Sequence, residues 1–222
     1  RRSSDLLINK NYGGNMMNSI QLPVQIIPQR MTMPNLDVFY PLIVAGTNPI
    51  AMQRMNQQIY NLVNRLITEQ GYYQNPQMTQ VTGSFELKTN ERGVLSLSII
   101  NYTYRQHAAH GLTVIRSLTF DIRTGKNYLL HELFKPESDY VKILSGMIKE
   151  QIEERNIELI EEFKGIRPDQ DYYIADKALV IYYQLYELTA YAFGFPHFPI
   201  SVYDLQDIIR ENTPLGVMLG NS

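Results

Sequence analysis

A chain of 222 residues, 44% hydrophobic and with a formal net charge of −2, can bury a substantial core as one large domain or two small, closely packed ones. That charge argues against a general nucleic-acid binder, which would show a basic face, and no apolar run is long enough to span a bilayer as a helix. The absence of cysteine excludes disulfides, thiolate metal sites and a cysteine nucleophile, without fixing the compartment.

Residues 1–21 read as a flexible lead-in, polar and glycine-bearing, with only Leu6-Leu7-Ile8 to anchor them. The chain opens on Arg1 rather than Met, which predicts a processed product or a fragment whose leader or N-terminal membrane anchor lies outside it. Gln21 to Met33 reads as an extended segment that Pro23 and Pro28 confine to a sheet edge or bend. Leu36 to Val44 is a second strand, with Leu36, Val38, Tyr40 and Leu42 on one face and Pro41 breaking its pairing. Asn48-Pro49 is a helix start, a capping side chain followed by proline at the first helical position. Met52, Met55, Ile59, Leu62 and Leu66 then form one apolar stripe, and Gly71 suits the C-terminal cap.

Residues 79–134 read as an antiparallel meander. Val81, Phe85 and Leu87 alternate, Asn90 to Gly93 supply a turn, and Leu95, Leu97 and Ile99 return toward Tyr102 and Tyr104. Leu112, Val114, Leu118, Phe120 and Ile122 share a face of the next strand, and Arg116 falls on that face with no partner evident from local pattern. Ser138 is a candidate cap for a second helix running to about Phe163, where Gly165 and Pro168 end it. Val141, Leu144, Ile148 and Ile152 form its buried stripe, and Glu150, Glu153, Glu154, Glu158, Glu161 and Glu162 crowd the other faces. Asp171 to Leu205 is the densest aromatic region and reads as strand, turn, strand, aromatic loop, strand. Asp204 to Glu211 reads as a short helix, and residues 211–222 as a tail.

Several of these features form a pattern: Tyr40-Pro41 before Gly46, Ala109-His110-Gly111, Asp121 through Thr124-Gly125-Lys126 to Leu133-Phe134, then Tyr183, Tyr186-Glu187, Tyr191-Ala192, Gly194 and Ile200 to Leu205. Over roughly residues 22–210 the chain resembles a domain family of largely unassigned function. That family forms the extracytoplasmic, lysozyme-sensing part of the Gram-positive anti-sigma-V factor and precedes the catalytic domain of some peptidoglycan deacetylases. The family often has two glycines before its Ala-His-Gly, where this chain has His107-Ala108.

Candidate chemistry is sparse. His107 and His110 are close enough in sequence to approach one metal ion, but the carboxylate spacing of a hydrolytic zinc site is absent, and the simpler reading is turn histidines bonded to backbone or water. His131-Glu132 reads as a polar pair at a strand end. The carboxylates of the second helix lie along one charged face, not across a cleft as a glycosidase pair would, and a solvated surface is the plainer account. Glu150, Glu154, Glu158 and Glu161 would nevertheless attract a cationic partner. Tyr186, Tyr191, Phe193, Phe195 and His197 are the candidate partner-binding residues, on a loop stiffened by Gly194, Pro196 and Pro199. The opposing reading places those rings, like most of the sixteen tyrosines, in the sheet core.

The expected architecture is α+β, with antiparallel sheets packed by two main helices in two intimately associated halves, residues 22–134 and 135–210. The resemblance implies a non-enzymatic, extracytoplasmic ligand-binding or sensing module at the cell envelope, secreted or anchored, with no cofactor. A lysozyme-like cationic protein is one implied ligand. A cell-wall glycan-binding accessory domain is the alternative, and a metal-dependent hydrolase using His107 and His110 a third.

Overall fold

In the computed structural model, which describes residues 23–46 and 48–220, the strand β4 (Val94–Arg105) is buried on both faces. Leu95, Leu97 and Ile99 face one core, while Val94, Ser96 and Ser98 face another. The lead-in expected over residues 1–21 lies outside the described residues.

β4 belongs to a six-stranded sheet with β1 (Gln25–Met33), β2 (Leu36–Ala45), β3 (Thr79–Glu91), β5 (Leu112–Asp121) and β6 (Lys126–Asn127), in that chain order. Neighbours are antiparallel except β2 and β3, which run parallel over Leu36–Val38 and Val81–Gly83. A parallel pair needs a crossover, and α1 (Pro49–Glu69) supplies it. Asn48 Oδ1 accepts from the Ala51 N–H at 2.8 Å. At the other end Gly71 N–H bonds Thr68 O and Tyr72 N–H bonds Ile67 O, a Schellman cap that places Gly71 at a φ of 82°. Met55, Ile59, Leu62 and Leu66 are buried against the sheet, as the stripe predicts.

Pro41 does not break the β1–β2 pairing. It sits opposite Pro28 within a continuous antiparallel register, while beyond it the Ile43 N–H and C=O are bonded by the side-chain amide of Asn56 on α1. The buried face of β2 also changes phase, from Leu36 and Val38 to Pro41 and Ile43. Leu87 departs from expectation too: the register of β3 shifts between Leu87 and Thr89, leaving Leu87 exposed and Thr89 buried.

The second helix, α2 (Tyr140–Glu154), is shorter than expected. Asp139 caps it, accepting from Lys142 N–H, while the Ser138 hydroxyl turns back to Lys135 O. It stops because Asn156 takes a left-handed φ of 50°, with Asn156 N–H on Glu153 O and Ile157 N–H on Ile152 O. This is the same cap as on α1, made with asparagine, the second-best residue for that conformation. Glu158, Glu161 and Glu162 therefore lie beyond the helix on an irregular segment that bends at Ile160 and Glu161. Replacing Asn156 with valine should cost about 1 kcal/mol, because a β-branched residue resists the left-handed region, whereas glycine should be neutral or better; urea unfolding of both variants checks this.

Leu144, Ile148 and Ile152 of α2 pack on a three-stranded antiparallel sheet of β7 (Tyr172–Ala175), β8 (Ala178–Tyr182) and β9 (His197–Ser201). This sheet meets the back of the first along β7. The outward N–H groups of Ile174 and Asp176 donate to the hydroxyls of Ser96 at 3.0 Å and Thr89 at 2.9 Å, so an edge that would otherwise be unpaired is satisfied by side chains. Asp204 to Glu211 is not a helix. A 3-10 turn covers Val202–Leu205, and Ile209 then pairs with Phe134, which pulls the backbone straight. The expected tail instead contains α3 (Pro214–Leu219), capped by Thr213, with Leu215 and Met218 buried in the second core. The architecture is thus α+β, in two mainly antiparallel sheets with two long helices.

Candidate functional site

The aromatic loop leaves β8 and is fixed at its base by a polar network. The Gln184 side-chain amide takes the place of a neighbouring strand at β5, accepting from Ile115 N–H at 3.1 Å and donating to Ile115 O at 2.7 Å. Gln184 also donates to Asp171, which accepts from Arg116 Nη1 at 2.5 Å. This explains Arg116: it belongs to an ion pair that joins the two sheets. Burial raises the Asp171 carboxyl above its usual range even though Arg116 and Gln184 pull it down. Glu187 accepts from Gln184 N–H at 2.8 Å and pairs with Arg167, closing the loop base.

Farther out, the loop meets the Ala109-His110-Gly111 turn. His110 Nδ1 lies 2.9 Å from Gly111 O and Nε2 lies 3.1 Å from the Tyr186 hydroxyl. With the proton on Nδ1, the ring donates to the carbonyl and accepts from the phenol, so one tautomer satisfies both contacts. Tyr191 packs 4.5 Å from the His110 ring and donates to Gly111 O. Gly111 is required at that point, because a Cβ there would fall 2.3 Å from the Tyr102 ring.

The five predicted contact residues are therefore graded in exposure. Tyr186 and Phe193 are 49% and 47% exposed, Tyr191 and Phe195 are half-buried, and Phe198 beyond them is buried in the core. His197 is not part of the loop but the first residue of β9, packed on Tyr182 and within 3.4 Å of the Tyr173 hydroxyl. Burial, aided by the nearby Lys88 charge, lowers its pKa and favours the neutral ring. Tyr172, Tyr182 and Tyr183 are core residues, and burial pushes their hydroxyls up.

Of the four acidic candidates, Glu150 and Glu154 are exposed on α2, while Glu158 and Glu161 lie on the segment that follows. That segment docks against the aromatic loop through Ile160 N–H to Leu188 O at 3.1 Å. Between the two runs a groove of about 400 Å³, walled by Glu158, Leu159 and Ile160 on one side and Ala190, Ala192 and Phe193 on the other. One residue of each predicted surface, Glu158 of the acidic set and Phe193 of the aromatic set, lines this groove. His107 is exposed in a turn with a φ of 70°, away from any shared ligand set: among the described residues no three histidine or carboxylate side chains converge as a metal site would require. His131-Glu132 lies in a 3-10 turn, with Glu132 accepting from Leu129 N–H and Lys126.

No curated protein matches the chain. Two crystal structures share its fold: a DUF3298 family member from Bacteroides fragilis NCTC 9343, with 13% identity, 90% of this chain and 97% of that one covered and a TM-score of 0.63, and a DUF3298 family protein from Pseudomonas aeruginosa PAO1, with 11% identity, 86% and 95% covered and a TM-score of 0.65. In sequence the match is narrower than residues 22–210, covering residues 131–203 and so α2, the second sheet and the whole aromatic loop. It is the family described as a protein of unknown function, DUF3298, that this chain is similar to over residues 131–203.

Proposed function

We propose that this protein is a non-catalytic, extracytoplasmic module that captures a cationic protein at the bacterial cell envelope. The observation that carries the reading is the groove between Ile160 and Phe193, which are 49% and 47% exposed, with the Glu158 carboxylate in its wall and Glu161 and Glu162 exposed next to it in the chain. Exposed apolar side chains with an anionic border suit a basic partner that also carries an apolar anchor. The loop is held by Gln184, Glu187 and the His110 turn, so little conformational entropy is lost on binding. The groove walls offer hydrocarbon and one carboxylate, with no nucleophile paired to a base, which supports binding rather than turnover. Placement at the envelope, and a lysozyme-like protein as ligand, rest on the resemblance to the anti-sigma-V ectodomain.

The test is capture of a lysozyme-like protein on immobilised protein. Phe193→Ser should abolish capture while leaving the melting temperature nearly unchanged, and Glu158→Lys with Glu161→Lys should weaken it and reduce its salt dependence. Capture by both variants at the wild-type level would sink the reading. A second reading, glycan binding, is favoured by the exposed Tyr186 ring beside Tyr191 and His110; co-sedimentation with purified cell wall that Tyr186→Ala abolishes would select it.

A further inference from the structure

Three times in this chain an aromatic ring and a carboxylate hold one cation between them. The Arg30 guanidinium lies 5.3 Å from the Phe39 ring centre and donates to both Asp37 oxygens, at 2.7 and 2.8 Å. Lys88 lies 4.5 Å from the Tyr173 ring centre and pairs with Glu86. Lys126 lies 4.2 Å from the Tyr128 ring centre and 2.7 Å from Glu132. The face of a ring is electronegative and the carboxylate is fully charged, so a cation placed beside both is attracted twice.

The groove after α2 has the ring and the carboxylate but takes its cation from nowhere in the described chain. Phe193 and Glu158 both line it. Among the described residues the Glu158 carboxylate makes no ion pair or hydrogen bond, and no cation lies over Phe193. The backbone fixes the shape of the space between them. Phe193 N–H bonds Ala190 O at 2.9 Å, and Ile160 N–H bonds Leu188 O at 3.1 Å, so ring and opposite wall are both tied down. Ala190 and Ala192 bring only methyl groups to the lining, which leaves room beside the ring for a side chain from outside.

We infer that the groove is a pocket for one arginine side chain of the captured protein, an inference that rests on reading the groove as the capture site. The methylene stem of that arginine lies along Ala190, Ala192 and Ile160, while its guanidinium stacks on Phe193 and forks onto Glu158, as Arg30 does on Phe39 and Asp37. The charge and the apolar anchor of the partner are then carried by a single residue. Arginine is preferred to lysine because a planar guanidinium can stack and fork at once, whereas an ammonium is compact and strongly hydrated. The volume of about 400 Å³ is near the small end of ligand sites and suits an inserted side chain.

The experiment titrates the isotope-labelled protein with the N-acetyl methylamides of arginine, citrulline, lysine and norleucine, followed through the amide signals of Ile160, Ala190 and Phe193. The arginine probe should bind with a Kd on the order of millimolar, as its size allows. It should bind at least about fivefold more tightly than citrulline, which keeps the shape of arginine without its charge. Glu158→Gln and Phe193→Leu should each narrow that ratio, and the double variant should remove it. Citrulline or norleucine binding as tightly as arginine, a ratio that neither variant changes, or no shift with any probe would overturn the pocket. Lysine binding as tightly as arginine would overturn the preference for a guanidinium. Self-association of the protein that Glu158→Gln abolishes would assign the arginine to a second copy instead of a captured protein. The two readings fail separately: capture of a lysozyme-like protein that Phe193→Ser abolishes, with no arginine preference, keeps the capture site and discards the pocket. Arginine binding without capture keeps the pocket and discards the lysozyme-like partner.

Discussion

Gly83→Ala is expected to destabilise the protein by about 3 kcal/mol, read as a fall in the urea midpoint at an unchanged slope. Gly83 lies on β3 where it meets β2 in parallel, and an added Cβ would fall 2.5 Å from Val38 Cγ1 and 2.6 Å from Asn101 Oδ1. Both neighbours are fully buried, so neither can swing into solvent to make room. The parallel junction is only three residue pairs long, so a small displacement there removes much of it. Combining Gly83→Ala with Val38→Ala should restore part of the loss, and a double-mutant cycle should show coupling of about 1 kcal/mol. Simple additivity would show that steric contact with Val38 is not the cause.

Arg116→Ala should cost about 2 kcal/mol at neutral pH. Breaking a fully buried ion pair costs about 3–5 kcal/mol. Arg116 is 36% exposed, however, and water screens part of the interaction. The pH dependence gives the sharper signature. The folded-state pKa of Asp171 is already raised by burial, and losing Arg116 raises it further. A carboxyl with a raised folded pKa destabilises the fold while ionised, and this penalty fades as pH falls through the raised value toward the ordinary carboxylate range. The deficit of the variant should therefore be full at pH 7 and shrink below the raised Asp171 pKa. A deficit independent of pH would assign the effect to lost packing of the arginine stem.

What could be read from the sequence was local chemistry. The start of α1 lies in Asn48-Pro49 and its end in Gly71, each acting over a few residues, and the stripe from Met55 to Leu66 needs nothing beyond helical spacing. The end of α2 was hidden because Asn156 supplies the left-handed cap where glycine is the stronger signal, and the glutamates after it keep helical spacing by coincidence. Ser96 and Ser98 alternate with Leu95, Leu97 and Ile99 and so resemble a solvent-facing side, whereas they face the second sheet and one of them caps its edge. The candidate site was the least legible part. Its residues were recognisable, but the bond from Tyr186 to His110 and the pair of Arg116 with Asp171 join positions 76 and 55 residues apart, beyond any local periodicity. The groove exists only because the run after α2 returns to the loop at Leu188.

The membership of the second core has a kinetic consequence. Val94 of β4 and Leu130 share that core with Leu215 and Met218 of α3. Its closure therefore waits for segments that are made far apart in time. A nascent chain can assemble the first sheet around α1 once β5 and β6 have left the ribosome, but the reverse side of β4 stays uncovered until β7 arrives, and the core behind it stays open until α3 emerges. Contacts of such long sequence separation carry a loop-closure entropy that must be overcome before they stabilise anything, which makes them slow to form. Refolding should thus have a fast phase reported by the α1 side and a slow one reported by Tyr172 and Tyr182. During the interval the uncovered apolar residues of the second core, Val94, Leu130 and Leu133 among them, are where a holding chaperone would bind, or where aggregation would begin.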